Sequence, residues 1–244
     1  MTGASKAWIK ERPRLYRGAL AARRVGGHLR RGAAVPLRRG LIQRYLRMHE
    51  SRRLHLGAGP HAIPGWLNTD IRPASLAIAY LDATKSFPLP DASMDVVFSE
   101  HMIEHVPYGD GVRMLRECAR VLRPGGVVRI ATPDLAAIVG LYRGDLSDEE
   151  RAYVEWFVER NDVRAVGDRP AFVINHFFTS WGHRFLYDRK TLREALEQAG
   201  FEAVTEHRPG ESEHPELRGL ERHGTVLGDE RWNDFETFVL EARR

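Results

Sequence analysis

The feature that most constrains this chain is a short apolar run that breaks into glycines: Arg53-Leu54-His55-Leu56-Gly57-Ala58-Gly59-Pro60. A strand ending in Gly-x-Gly lets the backbone approach a ligand closely, because no Cβ stands between them. The next apolar run, Gly65-Trp66-Leu67-Asn68-Thr69-Asp70, closes on an acid. A carboxylate at a strand end can accept both hydroxyls of a ribose. With a strand before it and an acid after it, the glycine turn is either an ordinary tight turn or half of a nucleoside site.

At 244 residues the chain makes one large domain, or one domain with an appendage. No run approaches the roughly 18 apolar residues that a membrane span needs, and no signal-peptide block follows the basic start. Cys118 is the one cysteine, which excludes an intrachain disulfide and a thiolate zinc cluster. A cytoplasmic protein is expected. Charge is distributed unevenly: residues 1–53 hold 15 Lys and Arg against Glu11 and Glu50, a net +13, so the remainder carries −9 of the overall +4. Residues 1–50 therefore read as a basic, partly helical arm on an acidic body at 51–244, or as an arm whose last part packs on that body through Leu41, Ile42 and Leu46. Such an arm is either solvated without a partner or meets an anionic surface. Its apolar residues are interrupted by Gly26-Gly27 and Pro36, a pattern of broken amphipathic helices that favours the inner face of a membrane over nucleic acid. No aromatic stacking platform interleaves the arginines.

Strands are expected at 53–56, 66–70, 78–82, 94–99, 127–132, 202–208 and 235–242, from apolar runs bounded by turn residues. A helix is predicted over 111–122, with Asp110 as N-cap, Leu115, Ala119 and Leu122 as its apolar stripe, and Pro124-Gly125-Gly126 as its end. Ser147-Asp148-Glu149-Glu150 reads as a capping box. A further helix over 188–199 has Leu192, Ala195, Leu196 and Ala199 in phase and Gly200 as its stop. The alternation predicts an α/β fold: a Rossmann-like three-layer sandwich with a seven-stranded, mostly parallel sheet and an antiparallel last strand. Residues 94–99 should lie inside that sheet. An insertion at about 147–187 interrupts the rhythm, with nine of the 22 aromatics between Tyr153 and Tyr187. A polar, glycine-punctuated loop is expected over 209–231.

In these elements the chain resembles the class I S-adenosylmethionine-dependent methyltransferases, and within them the small type-11-like branch, over about 51–244. His55-Leu56-Gly57-Ala58-Gly59 is similar to the family's glycine motif, Asp70 to its ribose acid, and Asp82-Ala83-Thr84 to the segment bordering the adenine. Phe87-Pro88-Leu89-Pro90-Asp91-Ala92-Ser93-Met94-Asp95-Val96-Val97 and Leu115-Arg116-Glu117-Cys118-Ala119-Arg120-Val121-Leu122-Arg123-Pro124-Gly125-Gly126 are similar to two further family runs. The resemblance implies S-adenosylmethionine as cofactor, bound by Leu56, Gly57, Ala58, Gly59, Asp70, Asp82 and Ala83, with Ser99 and Glu100 near the sulfonium. The chain departs from the pattern between Gly59 and Trp66, where the usual first helix has no room. A subgroup of bacterial methyltransferases associated with polysaccharide or glycolipid assembly shares this short Gly-Trp-x-Asn-x-Asp form. It implies a sugar hydroxyl on a glycan or glycolipid as acceptor; a small aromatic or polyketide-like metabolite ranks second and nucleic acid third.

A hydroxyl acceptor needs a base as it attacks. His101, just past the fourth strand, is the first candidate, with His176 and His183 on the aromatic insertion as rivals; each has a plain packing role as its alternative. His105 is expected to face the core. His101-Met102-Ile103-Glu104-His105 also spells H-x-x-E-H, the inverted motif of zinc peptidases. Pro107 would end such a helix almost as it starts, so that reading is set aside and no metal is expected. The aromatic insertion is either a lid over the acceptor or a flap over the sheet edge. A non-catalytic binder retaining the fold is the third class.

Overall fold

The computed structural model describes residues 35–161 and 169–244. Most of the expected basic arm, residues 1–34, and seven residues of the insertion lie outside the described residues. One sheet contains β1 (Arg53–Leu56), β2 (Leu67–Asp70), β3 (Ala79–Tyr80), β4 (Met94–Glu100), β5 (Leu122–Pro133), β6 (Glu202–His207) and β7 (Thr237–Arg243), in the order β3-β2-β1-β4-β5-β7-β6. Strands β1 to β5 pair in parallel, whereas β7 is antiparallel to both β5 and β6. Leu54, Leu56, Val97, Phe98, Val128 and Ile130 are fully buried, as strands covered on both faces require. Residues 94–99 lie inside the sheet, between β1 and β5, as expected.

This order positions the site. The chain runs outward from β1 to β3, then returns to place β4 on the other side of β1. Connections after β1 and β4 therefore leave in opposite directions, opening a crevice at the carboxyl ends of these strands. Leu56 and Ser99 pair across the β1–β4 register, so the glycine turn and the His101 turn face one another.

Residues 57–66 contain no helix, as the short spacing predicts. A side chain holds the connection instead. Asn68 accepts from Ile63 N at 2.8 Å and donates to the carbonyls of Ile63 at 2.9 Å and Trp66 at 3.0 Å. Its Oδ1 also lies 3.0 Å from His55 Nδ1.

The helix at 35–48, α1, packs onto the sheet rather than standing apart. Ile42 and Tyr45 belong to the main core, and the Tyr45 hydroxyl accepts from Arg53 N at 2.8 Å. The appendage expected over 1–50 thus loses its last third to the domain, because Ile42 and Tyr45 bury an apolar stripe that the charge count hides.

Helix α2 (Tyr108–Val121) starts earlier than expected. Its N-cap is Pro107, and Asp110 instead sits in the first turn and pairs with Arg113. It ends at Val121, and Leu122 already bridges Met94. Helix α3 (Leu135–Gly140) follows β5, and the insertion supplies α4 (Asp148–Arg160) and α5 (Pro170–Thr179). Both hydrogen bonds of the Ser147–Glu150 capping box are present. Tyr153, Phe157, Val173 and Phe177 form a second core. Helix α6 (Arg189–Gln198) has Asp188 as its N-cap, and Gly200 follows at φ +96°. Residues 209–231 are more than a polar loop: they carry α7 (His223–Leu227) and the start of α8 (Glu230–Glu236), whose Trp232 joins the second core. The fully buried Arg129 of β5 ties this segment down, donating to Glu221 at 2.7 Å, Glu241 at 2.5 Å and the Glu211 carbonyl at 2.8 Å.

Candidate active site

Three clefts meet at the crevice. The first, about 560 Å³, is lined by Gly57, Asp70, Asp82, Ala83, Thr84 and Met102, among others. Gly57 has φ +71°, and a Cβ there would lie 2.6 Å from Met102 Cγ. Glycine is therefore required by both backbone and space. Asp70 ends β2, where its carboxylate accepts from Gly59 N at 2.9 Å and from Arg72 N at 2.5 Å. Those two bonds fix its orientation, and each oxygen keeps lone-pair capacity for a further donor. Asp82 accepts from Thr84 N at 3.0 Å and Thr84 Oγ1 at 2.7 Å.

The second cleft, about 150 Å³, is lined by Ala58, Gly59 and Glu100 beside Gly57. Glu100 is committed here to the chain itself: Oε1 accepts from Arg222 N and His223 N, both at 2.9 Å. The side chains of Leu56 and Ser99 are fully buried under the crevice floor and line neither cleft. Contacts from Leu56 and Ser99 to a ligand would therefore come from their backbone, whereas Glu100 borders the second cleft directly. Strand alternation turns Leu56 and Ser99 into the core, and the 209–231 segment claims Glu100.

The third cleft, about 330 Å³, has Trp156, Phe157, Phe177 and Trp181 as aromatic walls and His101, Glu104, His105, His183, His223 and Glu236 at its polar end. His101, His105 and Trp181 line both this cleft and the first. His101 adopts φ +45°. Its Nε2 is 3.0 Å from Thr237 Oγ1, and its Nδ1 is 3.3 Å from Glu104 Oε1. Burial disfavours the charged ring, but the Glu104 carboxylate outweighs it and raises the His101 pKa above the usual histidine value. The His223 ring lies 3.8 Å from that of His101, and His223 Nε2 is 2.7 Å from Glu236 Oε1. Tyr153 donates to Glu236 Oε2 at 2.5 Å. Desolvation, reinforced by that carboxylate, holds the Tyr153 phenol well above its ordinary pKa.

His183 also borders the third cleft, with Nδ1 2.8 Å from the Phe177 carbonyl. His176 lines none of the three clefts; it packs against Trp181 at 4.6 Å and Phe157 at 5.4 Å. His176 thus touches two walls of the third cleft without lining it. His105 is exposed rather than core-facing. His223 and Glu236 escaped the sequence reading because no motif marks them; the turn signals around Gly219 and Gly228 concealed short helices.

Residues 62–130 match the family model described as a methyltransferase domain. Over 74 residues the chain is 42% identical to a probable S-adenosylmethionine-dependent methyltransferase of Mycolicibacterium smegmatis, covering 30% of this chain and 25% of that protein. Over these residues the chain is similar to a methyltransferase domain, and the relatives it matches are named as S-adenosylmethionine-dependent methyltransferases. It is also 33% identical over 153 residues to the 27-O-demethylrifamycin SV methyltransferase of Amycolatopsis mediterranei, covering 57% of this chain and 54% of that one. The matches thus span about a quarter to a half of these relatives' lengths. A crystal structure of a methyltransferase from Archaeoglobus fulgidus is similar at 16% identity and TM-score 0.47, covering 83% of this chain and 91% of that one.

The first cleft fits the cofactor of this domain class. It has the volume of a small-molecule site, a glycine turn for close backbone approach, and two oriented carboxylates at adjacent strand ends. Leu81, Ala83 and Met102 supply apolar surface.

Proposed function

We propose that this protein methylates a hydroxyl oxygen, and that its acceptor is a sugar on a glycan or glycolipid. The observation that supports this most is the shared wall: His101, His105 and Trp181 border both the carboxylate-lined cleft and the aromatic one. S-adenosylmethionine, when bound, supplies a methyl group activated by a sulfonium. Asp70 would hold its ribose hydroxyls, Asp82 and Ala83 its adenosine, and the Gly57–Gly59 turn its approach to the backbone. Trp156, Phe177 and Trp181 offer flat faces suited to the C–H face of a pyranose. Glu104 beside Nδ1 favours the His101 tautomer whose Nε2 is a proton acceptor, at the boundary that an acceptor hydroxyl must reach. Holding donor and acceptor in line across that boundary supplies up to about 7–11 kcal/mol of the barrier reduction.

A second reading, a polyketide-like acceptor, is favoured by the activity for which the Amycolatopsis relative is named and by the same aromatic walls. Transfer of isotopically labelled methyl to fractionated cell extract separates the two. Label in the lipid–glycan fraction is the expected result, and label confined to small metabolites replaces the sugar with the polyketide-like acceptor. Cofactor binding without transfer to any fraction would leave a non-catalytic binder.

A further inference from the structure

The H-x-x-E-H run does not build a peptidase site. Residues Ile103–His105 form a single 3₁₀ turn that Val106 leaves in extended conformation. His101 and His105 therefore do not share an α-helical face. Glu104 and His105 instead meet His183, which arrives from the segment after α5. One donor atom from each of the three lies within 4.8 Å of the others.

Three observations make this more than a chance cluster. The Glu104 side chain is fully buried, and the contact its Oε1 makes is the ion pair with His101 Nδ1 at 3.3 Å, longer than an ordinary charge-assisted hydrogen bond. A buried carboxylate oxygen facing one imidazole keeps lone-pair capacity, which a coordinated cation can use. The other oxygen, Oε2, accepts from Thr132 Oγ1 at 3.1 Å, which orients the group. Second, His183 Nδ1 faces the Phe177 carbonyl at 2.8 Å. That bond leaves Nε2 as the lone-pair nitrogen and holds the ring, the usual second contact of a metal-binding histidine. Third, Arg184 N and Phe185 N donate to the Glu104 carbonyl at 2.7 and 3.2 Å, bracing the His183 segment directly against the Glu104 turn.

We propose that Glu104, His105 and His183 bind one divalent first-row transition ion, whose remaining coordination positions face the aromatic cleft and take an oxygen of the acceptor. Two imidazoles and a carboxylate suit zinc, cobalt, iron or manganese better than magnesium. Three protein ligands with an open side are the pattern of a catalytic rather than a structural site. Ligand bonds of about 2.1 Å need donors closer than 4.8 Å, and the exposed His105 ring is free to swing in. A cation there would orient the acceptor hydroxyl and lower its pKa. The metal site stands on its own geometry; only its role toward the acceptor rests on the methyl-transfer reading.

The test uses tag-free full-length protein, stripped with a chelator and titrated calorimetrically with Zn²⁺, Co²⁺ and, for contrast, Mg²⁺. One equivalent of Zn²⁺ and Co²⁺ should bind, and Mg²⁺ at least tenfold more weakly. His105→Ala, at an exposed position, and the near-isosteric Glu104→Gln should each weaken Zn²⁺ binding at least tenfold, whereas His176→Ala should not. Titration of each variant with S-adenosylhomocysteine checks that the fold and the cofactor cleft persist. Zn²⁺ affinity unchanged in both His105→Ala and Glu104→Gln would overturn the site, as would binding well below one equivalent. Loss of S-adenosylhomocysteine binding by the unmodified protein would instead sink the cofactor assignment and leave the metal result standing.

Discussion

Asp70 does two things at once, and its removal abolishes both. Its carboxylate braces the glycine turn through Gly59 N and fixes Arg72 N, while presenting acceptors to the first cleft. Asp70→Ala should weaken cofactor binding by about 1–3 kcal/mol, the net value of two ordinary hydrogen bonds. Calorimetry that finds the affinity unchanged would move the ribose elsewhere. At His101 the backbone conformation limits the choice of variant. With φ +45°, asparagine is the natural replacement, because it tolerates the left-handed region and lacks an imidazole. His101→Asn should lower kcat by about 10²–10⁴, the ordinary value of a positioned proton acceptor, with cofactor affinity little changed. Steady-state kinetics on the acceptor found by labelling would measure this, and an unaltered kcat would remove His101 from the proton path.

Between elements, the connection leading into β4 is held by one acid. Glu117 on α2 accepts from Phe87 N at 2.6 Å and from Arg120 at 2.7 and 2.8 Å, and Arg120 reaches on to the carbonyls of Phe87 and Leu89. The Arg120 guanidinium, more than any other neighbour, holds the Glu117 carboxyl below its usual range. A carboxylate whose folded pKa is depressed contributes stability above its unfolded pKa of about 4.3, and loses it as pH falls through the folded value. The unmodified protein should therefore lose melting temperature more steeply than Glu117→Gln as pH drops from about 5 to about 3. Parallel thermal-melt curves would show that the clamp carries no such linkage. Strands were legible because buried parallel strands are short apolar runs between turn residues, and the Ser147 cap because its partner stands three residues on. Asp110 misled because a good capping residue also serves in a first turn. Arg129 was illegible in kind: a charge within Val127-Val128-Arg129-Ile130 gives no sign of the carboxylates at Glu221 and Glu241 that neutralise it. The same holds for the cleft between the His101 turn and the insertion, whose sides lie far apart in sequence.

For the whole molecule, the domain reaches back to α1. Helix α1 packs by Ile42 and Tyr45 and leaves Arg38 and Arg39 beside Pro88 and Pro90, so the domain begins before residue 51. Residues 1–34 alone hold nine Lys and Arg against Glu11. Among the described residues no helix is long and apolar enough to cross a membrane. We propose that residues 1–34 dock the protein on an anionic bilayer, which would bring the aromatic cleft to a lipid-linked acceptor. Each basic residue near such a surface is worth up to about 1 kcal/mol, decaying within a Debye length of about 8 Å at physiological salt, so several together suffice for reversible binding. Truncation at residue 35, rather than 51, is the appropriate comparison, because removing Ile42 and Tyr45 would open the core. In sedimentation with vesicles of anionic lipid, the full-length protein should pellet and the 35–244 form should stay in the supernatant. Raising the salt to about 1 M, where the Debye length is about 3 Å, should release the full-length protein as well. Equal pelleting of the two forms would place the contact on the domain, with the exposed Arg39 of α1 as the next residue to change.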